Sequence, residues 1–243
     1  MKSLKIWASA MSVALIFAGC GNLNNTAKGS MIGTAAGGAA GTGIGALIGH
    51  LVGGSSGAKK GAIIGAAAGA AAGVTTGALI GHKMDKAAKA AKALENAKVE
   101  SIEDSNGLPG VKVTFDNGIL FTVGKSALKT NAKTTLKQFA DDVLNTNTHI
   151  DVAICGFASS DGSDETNLRI SQDRADAVKN YLTGTCKVAS KQVKSSIGYG
   201  EDPKFLIYKA DGKTEDVESS RRVEVYLLAS EEMIKAAEAE AKK

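Results

Sequence analysis

The sequence predicts an α/β sandwich over residues 108–230, with helices on a mixed sheet, preceded by a glycine-rich helical hairpin. Three observations predict this arrangement. Apolar residues alternate in short stretches of the C-terminal half and recur at helical spacing between them. Glycine occupies every fourth position from residue 29 to residue 81, and an apolar run follows the first lysines. The predicted segments are a signal peptide (1–19), a linker (20–30), a glycine-zipper hairpin (31–84), a helical spacer (85–107), the α/β domain (108–230) and a charged helical tail (231–243).

The elements of the α/β domain follow from the spacing of its apolar residues. Apolar residues alternate over 111–115 and 119–121, and Asp116-Asn-Gly118 between them predicts a β-hairpin. Helices and strands then alternate, with helices predicted over 127–144 and 166–182 and strands over 150–155, 193–197 and 222–228. This order indicates helices packed on a sheet.

The segments on either side of the domain are rich in Ala, Lys and Glu. Over residues 85–100, Ala87, Ala91 and Leu94 form only a thin apolar stripe, which predicts a solvated spacer helix, with coiled-coil pairing as the alternative. The stretch Asn106-Gly-Leu-Pro-Gly110 then predicts a loop between this segment and the domain. The tail from residue 230 is expected to be a peripheral helix.

Fourteen glycines stand four residues apart from Gly29 to Gly81. Four residues are close to one helical turn, so these glycines form a strip along a helix. Each costs roughly 1 kcal/mol relative to alanine, which close helix contact in a membrane offsets. Lys59 and Lys60 divide the segment into two uncharged arms of about 21 residues, roughly the thickness of a bilayer core. The sequence therefore predicts a membrane-associated helical hairpin whose arms are long enough to be transmembrane.

The N-terminus has the features of an export signal. Lys2 and Lys5 precede an apolar run over residues 6–18, and small residues precede Cys20. The stretch Leu15-Ile-Phe-Ala-Gly-Cys20 resembles the lipobox of bacterial lipoproteins. That resemblance implies cleavage before Cys20, attachment of acyl chains such as palmitate to it, and retention in the outer membrane. Two or more acyl chains anchor a protein stably.

Charge and composition exclude several classes of function. Loss of residues 1–19 removes Lys2 and Lys5 and lowers the net charge from +4 to +2, too weak for nucleic-acid binding. No Ser, Cys, His or carboxylate has a plausible catalytic partner by spacing, and neither a cofactor nor a metal site is predicted. Cys155 and Cys186 are either an exported disulfide or two buried free thiols.

Several motifs of the domain resemble the OmpA-like peptidoglycan-binding family. They occur in the family's order along nearly the whole domain: residues 115–128, Gly156-Phe-Ala-Ser159, Asn167-x-x-Ile-Ser-x-x-Arg-Ala175, Gly198-Tyr-Gly-Glu201 with Pro203, and Arg221-Arg-Val-Glu-Val225. With the lipobox and the glycine repeat, the chain resembles YiaD-type outer-membrane lipoproteins. The resemblance implies a β-α-β-α-β-β fold in the periplasm and a groove for the diaminopimelate part of the peptidoglycan peptide.

The resemblance also implies the residues of that groove. Arg174 matches the arginine that binds the ligand carboxylate, for which a guanidinium is well shaped. Asn167 matches an asparagine at the helix start, where it would act as N-cap. Ile170 and Ser171 match the step that shapes the groove, and Arg222 matches the second arginine of the last motif.

The sequence departs from the family at one position of the groove. Ser159 stands where the family has Asp, and a serine supplies no charge to an ammonium group of the ligand. Asp161 is the acid that could replace it from a shifted loop, with Asp164 a weaker candidate. Either the domain binds peptidoglycan more weakly or prefers another peptide, or it keeps the fold without the ligand.

Two functions from different classes are consistent with these features. The first is a non-catalytic tether, in which lipidated Cys20 and the hairpin hold the outer membrane and the domain binds peptidoglycan. The alternative is a membrane homo-oligomer or pore formed by the glycine zipper, with the domain's wall binding lost or altered. A third interpretation places the zipper in a helical bundle outside the membrane.

Overall fold

The computed structural model describes residues 70–104 and 107–242, with side chains from residue 75 onward. Five strands are present in this part, namely β1 Ala97–Glu103, β2 Pro109–Asp116, β3 Ile150–Phe157, β4 Val193–Gly198 and β5 Arg222–Ala229. They form one sheet in the order β1-β2-β5-β3-β4. Strands β3 and β4 run parallel, while the other neighbouring pairs are antiparallel.

Helices connect and flank these strands. They are α1 Ala70–Lys92, α2 Asn117–Leu120, α3 Thr130–Phe139, α4 Asp164–Asn180, α5 Val217–Ser220 and α6 Glu231–Ala241. Two of them, α3 and α4, continue into wider π-helical turns at Ala140–Leu144 and Tyr181–Thr185. From β2 onward the long elements follow the order β-α-β-α-β-β, so the predicted mixed α/β fold is confirmed.

The main core lies between the helices and one face of the sheet. Because successive strand residues point to opposite faces, Val223, Val225 and Leu227 of the central strand all enter this core. Helices α3 and α4 contribute apolar residues that recur at helical spacing and are fully buried, namely Leu136, Phe139, Ala175 and Val178. The fold is therefore a helical layer on a sheet.

The opposite face of the sheet carries a smaller cluster. Phe157, Tyr226 and Cys155 are buried there, with Tyr199 and Phe205 from the β4–β5 connection packed on Phe157 at 5.5 and 5.3 Å between ring centroids. Burial raises the pKa of the Cys155 thiol well above its ordinary value.

The two cysteines do not form a disulfide. Both thiols are free and buried. Cys186 belongs to the main core under the helices, whereas Cys155 lies in the cluster on the other face of the sheet. The disulfide alternative is therefore wrong, and the alternative of two buried thiols describes the structure.

Two glycines allow α4 to lie directly on β3 and β4. A Cβ atom on Gly156 would stand 2.1 Å from the carbonyl oxygen of Ser171, and one on Gly198 would stand 2.2 Å from the backbone nitrogen of Gln172. No side chain fits at either position. This close approach fixes the middle of α4 against the ends of both strands.

The predicted hairpin at Asp116-Asn-Gly118 is wrong. These residues begin the short helix α2 instead, and Leu120 and Phe121 enter the core from it and from the residue that follows it. Strand β2 pairs on its outer side with β1, which precedes it in the chain. Glu100 lies opposite Lys112 in this pair and forms an ion pair of 2.6 Å with it.

The predicted solvated spacer helix is also wrong. Helix α1 ends at Lys92, and strand β1 occupies 97–103. Asn96, in the turn that leads into β1, adopts a φ of 62°, a left-handed conformation that asparagine tolerates. Helix α1 buries Ile80, Met84 and Ala91 completely, because it packs on β1, β2 and α6.

The C-terminal tail is helical, as predicted, but its apolar side is not peripheral. Ser230 caps α6 by accepting a hydrogen bond from the backbone N–H of Met233 at 3.1 Å. Met233, Ile234 and Ala237 are buried where α6 packs against α1. The charged residues of the tail point away from this contact.

The predictions for the signal peptide, Cys20 and the first zipper arm lie outside the described residues. The end of the second arm is described, and it is helical from residue 70. Its last glycines, Gly77 and Gly81, are buried on the side of α1 that carries Ile80 and Met84. Over residues 70–104 and 107–242, none of the helices has both the length and the hydropathy of a membrane span.

Candidate functional site

The motif residues of the site come from the loop after β3, from α4 and from the residue before β5. Four side chains define what we call the arginine site: Arg174, Arg221, Ser159 and Asp161. Ser159 and Asp161 belong to the loop after β3, Arg174 to α4, and Arg221 to the residue before β5. The packing of α4 on Gly156 and Gly198 holds these elements at fixed distances.

Arg174 is almost fully buried, with 4% of its surface exposed. Its Nε donates a hydrogen bond of 3.1 Å to the carbonyl oxygen of Lys125, and its guanidinium lies 5.5 Å from the centre of the Phe121 ring. Burial, with a smaller contribution from the nearby charge of Arg221, lowers the pKa of Arg174 to about 10. The group stays protonated at neutral pH, and no acidic residue of the described ranges forms an ion pair with it.

Arg221 connects Ser159 to Asp161. Its Nε donates to the Ser159 hydroxyl at 2.9 Å, and its Nη2 forms an ion pair of 2.6 Å with an oxygen of Asp161. The hydroxyl of Ser159 also accepts the backbone N–H of Asp161 at 3.4 Å. One carboxylate oxygen of Asp161 is thus engaged by Arg221, while its side chain remains 62% exposed.

Asn167 fixes the loop that carries Ser159 and Asp161. Its side-chain amide donates to the carbonyl oxygens of Ser159 at 3.1 Å and Asp161 at 3.0 Å, and to the carboxylate of Glu201. The predicted N-cap role is wrong, because Ser163 caps α4 and the Asn167 N–H bonds the Ser163 carbonyl. Asn167 is one turn inside the helix and acts on the loop through its side chain.

Acidic residues surround the loop. Glu215 accepts hydrogen bonds from the backbone N–H and the hydroxyl of Ser160. A hydrogen bond with the carboxyl of Asp164 is the main cause that raises the pKa of Glu201. The loop beside Arg221 therefore carries several carboxylates. Among the residues that the structure describes, no three His, Cys, Asp or Glu side chains are arranged to hold a metal ion.

Ser171 and Ile170 have different environments. Ser171 is fully buried, donates to the Leu168 carbonyl at 2.9 Å and accepts the N–H of Gly200 at 2.9 Å. It therefore joins α4 to the end of β4 and has no free hydroxyl for a ligand. Ile170, one turn before Arg174 on α4, is half-buried.

Arg222 does not join the arginine site. Its Nε pairs with Glu224 at 2.7 Å, its Nη1 donates to the Ser220 carbonyl at 3.1 Å, and its guanidinium stacks 4.2 Å from the centre of the Phe157 ring. These contacts lie on the face of the sheet opposite α4. Arg221, the residue before it in the chain, occupies the site instead.

Sequence reasoning also missed Phe121 and the Lys125 carbonyl. One signal pointed to Arg221: two adjacent arginines at the start of a strand face opposite ways, so only one of them reaches α4. The contacts of Phe121 and Lys125 with Arg174 depend on the short helix α2. A hairpin had been predicted at these residues, so the contacts were not expected.

Residues 120–221, which include the whole arginine site, match the model of the OmpA family. Residues 1–85 match the model of the YMGG-like Gly-zipper. Both matches agree with the resemblance that the motifs indicate.

Among relatives, the outer membrane protein P5 of Haemophilus influenzae is 33% identical over 88 residues, which are 36% of this chain and 24% of that protein. The chain thus spans about a quarter of the length of this relative. A MotB-like protein from Desulfovibrio vulgaris has a similar structure, with a TM-score of 0.50 and 18% identity over 64% of this chain and 96% of that one. The periplasmic domain of Helicobacter pylori MotB gives a TM-score of 0.47 and 17% identity, over 62% and 90% of the two chains.

Proposed function

We propose that this chain is a non-catalytic tether between the outer membrane and peptidoglycan. Acyl chains on Cys20 and the glycine zipper hold the outer membrane, and the OmpA-family domain binds the diaminopimelate-containing peptide in the periplasm. One observation carries the proposal: Arg174 is a buried guanidinium that has no acidic partner in the described part of the domain.

The surroundings of Arg174 favour a carboxylate ligand. The Lys125 carbonyl and the Phe121 ring hold the guanidinium in one orientation. Its Nε is bonded to Lys125, which leaves the two Nη groups for a pair of parallel hydrogen bonds to a carboxylate. Because the group is buried, water competes weakly for these donors. Arg221 beside it strengthens the attraction for an anion.

The ammonium group of a diaminopimelate ligand needs an acceptor, and we assign this role to Asp161. One of its carboxylate oxygens is paired with Arg221, and the other projects from an exposed side chain. Arg221 neutralises part of the charge of Asp161, so this contact is expected to be weak. The proposed site therefore binds the anionic end of the ligand more firmly than its cationic end.

Retention on purified sacculi tests the tether. We expect the Arg174→Ala variant of the full chain to lose at least about tenfold in affinity, because a charge-assisted bidentate contact contributes roughly 1.5–3 kcal/mol. Arg169→Ala is the matched control, since Arg169 is an exposed arginine of the same helix. Equal retention of wild type and Arg174→Ala, or retention of neither, would contradict the proposal.

Two features of the chain support a location in the cell envelope. The relative from Haemophilus influenzae is an outer membrane protein by name, and its match falls on part of this chain. The lipobox resemblance and the YMGG-like zipper both concern the N-terminal segment. Together they favour a lipid-anchored protein whose C-terminal domain faces the periplasm.

A second function is supported by the glycine repeat itself. Fourteen glycines at a step of four suit close contact between helices of neighbouring copies, and hence a membrane oligomer or pore. This function does not need Arg174. An Arg174→Ala variant that binds sacculi like the wild type would therefore favour it over the tether.

A further inference from the structure

The outer half of α1 is a basic surface. The side of the helix opposite the buried Ile80, Met84 and Ala91 carries five exposed residues that are charged or can become so: His82, Lys83, Lys86, Lys89 and Lys92. A lysine recurs every three residues from 83 to 92, so the charges are distributed round the exposed half of the helix. We call these four lysines and His82 the α1 basic face.

The charges of this face are not satisfied within the described chain. None of the four lysines forms an ion pair with any residue in 70–104 or 107–242. The acid of α1, Asp85, is half-buried at its flank. On the neighbouring α6, Glu231 pairs with Lys235 and Glu232 pairs with His149. The face is therefore open to an anionic partner from outside.

The position of the face indicates which anion it meets. The YMGG-like zipper match runs to residue 85, so the first residues of the basic face belong to that segment and the others follow it directly. Lysines next to a membrane-associated segment lie at the depth of lipid headgroups, and each contributes about 1 kcal/mol at an anionic surface. Their long side chains also reach headgroups from either flank of a helix.

We propose that the α1 basic face binds the anionic phospholipid surface of the membrane to which the zipper is attached. The inference rests on the proposed membrane attachment of the N-terminal segment, but not on peptidoglycan binding. Because α1 packs on the domain through its other side, such a contact sets the orientation of the whole domain relative to the bilayer.

A polarity-sensitive fluorophore on the face tests the contact. Ala93 is exposed beside Lys89 and Lys92, and Cys155 and Cys186 are buried. In protein whose Cys20 thiol is acylated, as proposed above, Ala93→Cys therefore gives a single labelling position. The full-length labelled protein is reconstituted into vesicles of phosphatidylcholine, with or without phosphatidylglycerol. We expect a blue shift of the emission only with phosphatidylglycerol, and its loss at high salt, because salt screens exposed charges.

Variants separate the face from a general charge effect. Changing Lys83, Lys86, Lys89 and Lys92 together to Gln is expected to abolish the shift, and changing them to Arg to preserve it. The matched control changes four exposed lysines elsewhere to Gln: Lys133, Lys204, Lys209 and Lys213. This control removes the same charge and is expected to keep the shift.

Three results would overturn the inference. They are a wild type without any shift on anionic vesicles, a shift that survives the Gln changes on α1, and a shift that the control variant also loses. If the Gln changes on α1 reduce retention on sacculi but leave the vesicle shift intact, the face contacts peptidoglycan and not lipid. Because Arg174→Ala affects only sacculus retention under these proposals, failure of the tether and failure of this contact are distinguishable.

Discussion

At the scale of single residues, the properties of the arginine site depend on Ser159. Its hydroxyl accepts a hydrogen bond from Arg221 but carries no charge, so Asp161 is left to neutralise that arginine. An acid at residue 159 would pair with Arg221 directly and release Asp161. The site would then carry one more negative charge around a bound ligand, with the same fold.

Ser159→Asp is therefore expected to raise the affinity for diaminopimelate about tenfold, because a charged hydrogen bond to the ligand ammonium contributes roughly 1.5–3 kcal/mol. Calorimetric titration of the full chain carrying Cys20→Ser measures it. Pimelate, which has the same carboxylates and no amino groups, is the control ligand and is expected to gain nothing. An equal gain for both ligands, or no gain for either, would show that residue 159 does not determine recognition of the ammonium group.

Gly156 is the residue on which the position of α4 depends most directly. Gly156→Ala would place Cβ 2.1 Å from the Ser171 carbonyl oxygen, so α4 has to move away from β3. We expect the free energy of unfolding to fall by about 3 kcal/mol or more, in the range of severe overpacking. Thermal denaturation followed by circular dichroism measures it.

Gly184→Ala is the matched control for this prediction. A Cβ atom there meets nothing within 4 Å. The expected change is within about 0.5 kcal/mol, or a slight stabilisation through the unfolded state. Equal melting temperatures for the two variants would mean that the close approach of α4 to β3 is not rigid.

At the scale of elements, the sequence predicted those strands and helices that the spacing of apolar residues marks locally. The strands β3, β4 and β5 and the helices α3 and α4 were predicted within a few residues of their observed ends, because apolar residues mark them at a period of two or near four. The residues around Asn117 gave a hairpin signal, yet they form α2. The true partner of β2 precedes it, and strand pairing between distant segments leaves no local mark.

The error over α1 has a physical cause of the same kind. Its buried stripe consists largely of alanine and glycine, and such small residues give only a thin apolar pattern in the sequence. In the structure they let α1 approach β1, β2 and α6 closely, with Ile80 and Met84 as the large residues of the contact. Glycine at a step of four therefore indicates close packing, but it does not say whether the neighbour is another helix in lipid or a sheet.

The candidate site could be predicted only in part, for a related reason. The motifs pointed to Arg174, Asn167 and Ser159, with Asp161 as the nearby acid. In the structure Asn167 and Arg221 bond the loop of Ser159 and Asp161, and the charge of Arg221 is near enough to Arg174 to lower its pKa. Arg221 lies in the site instead of the predicted Arg222 because the two side chains point to opposite faces of the sheet. That choice is set by the register of β5 against β2 and β3, which a single motif does not contain.

At the scale of the whole molecule, the folded unit is larger than the predicted domain over 108–230. Helix α1 and strand β1 precede that range and α6 follows it, and all three contribute to the same sheet or core. Without them, strand β2 becomes an unprotected edge and the side of the core beneath α1 is uncovered.

A fragment of residues 108–230 is accordingly expected to melt at least about 10 °C below a fragment of residues 70–243, or to lack a cooperative transition. Thermal scans of both fragments by circular dichroism measure the difference. The longer fragment serves as the control, since it retains α1, β1 and α6. Coincident transitions would mean that these elements add little to the stability of the sheet.

Helix α1 belongs at once to the glycine repeat and to the core of the domain, and this has a mechanical consequence. A pull along the axis of α1, applied at its N-terminal end, acts on a helix that is held against the sheet over several turns. In the described part of the chain, this helix is packed from Thr76 to Ala91. To detach, the helix has to slide past many side chains simultaneously, a geometry that resists force far better than peeling them off one after another.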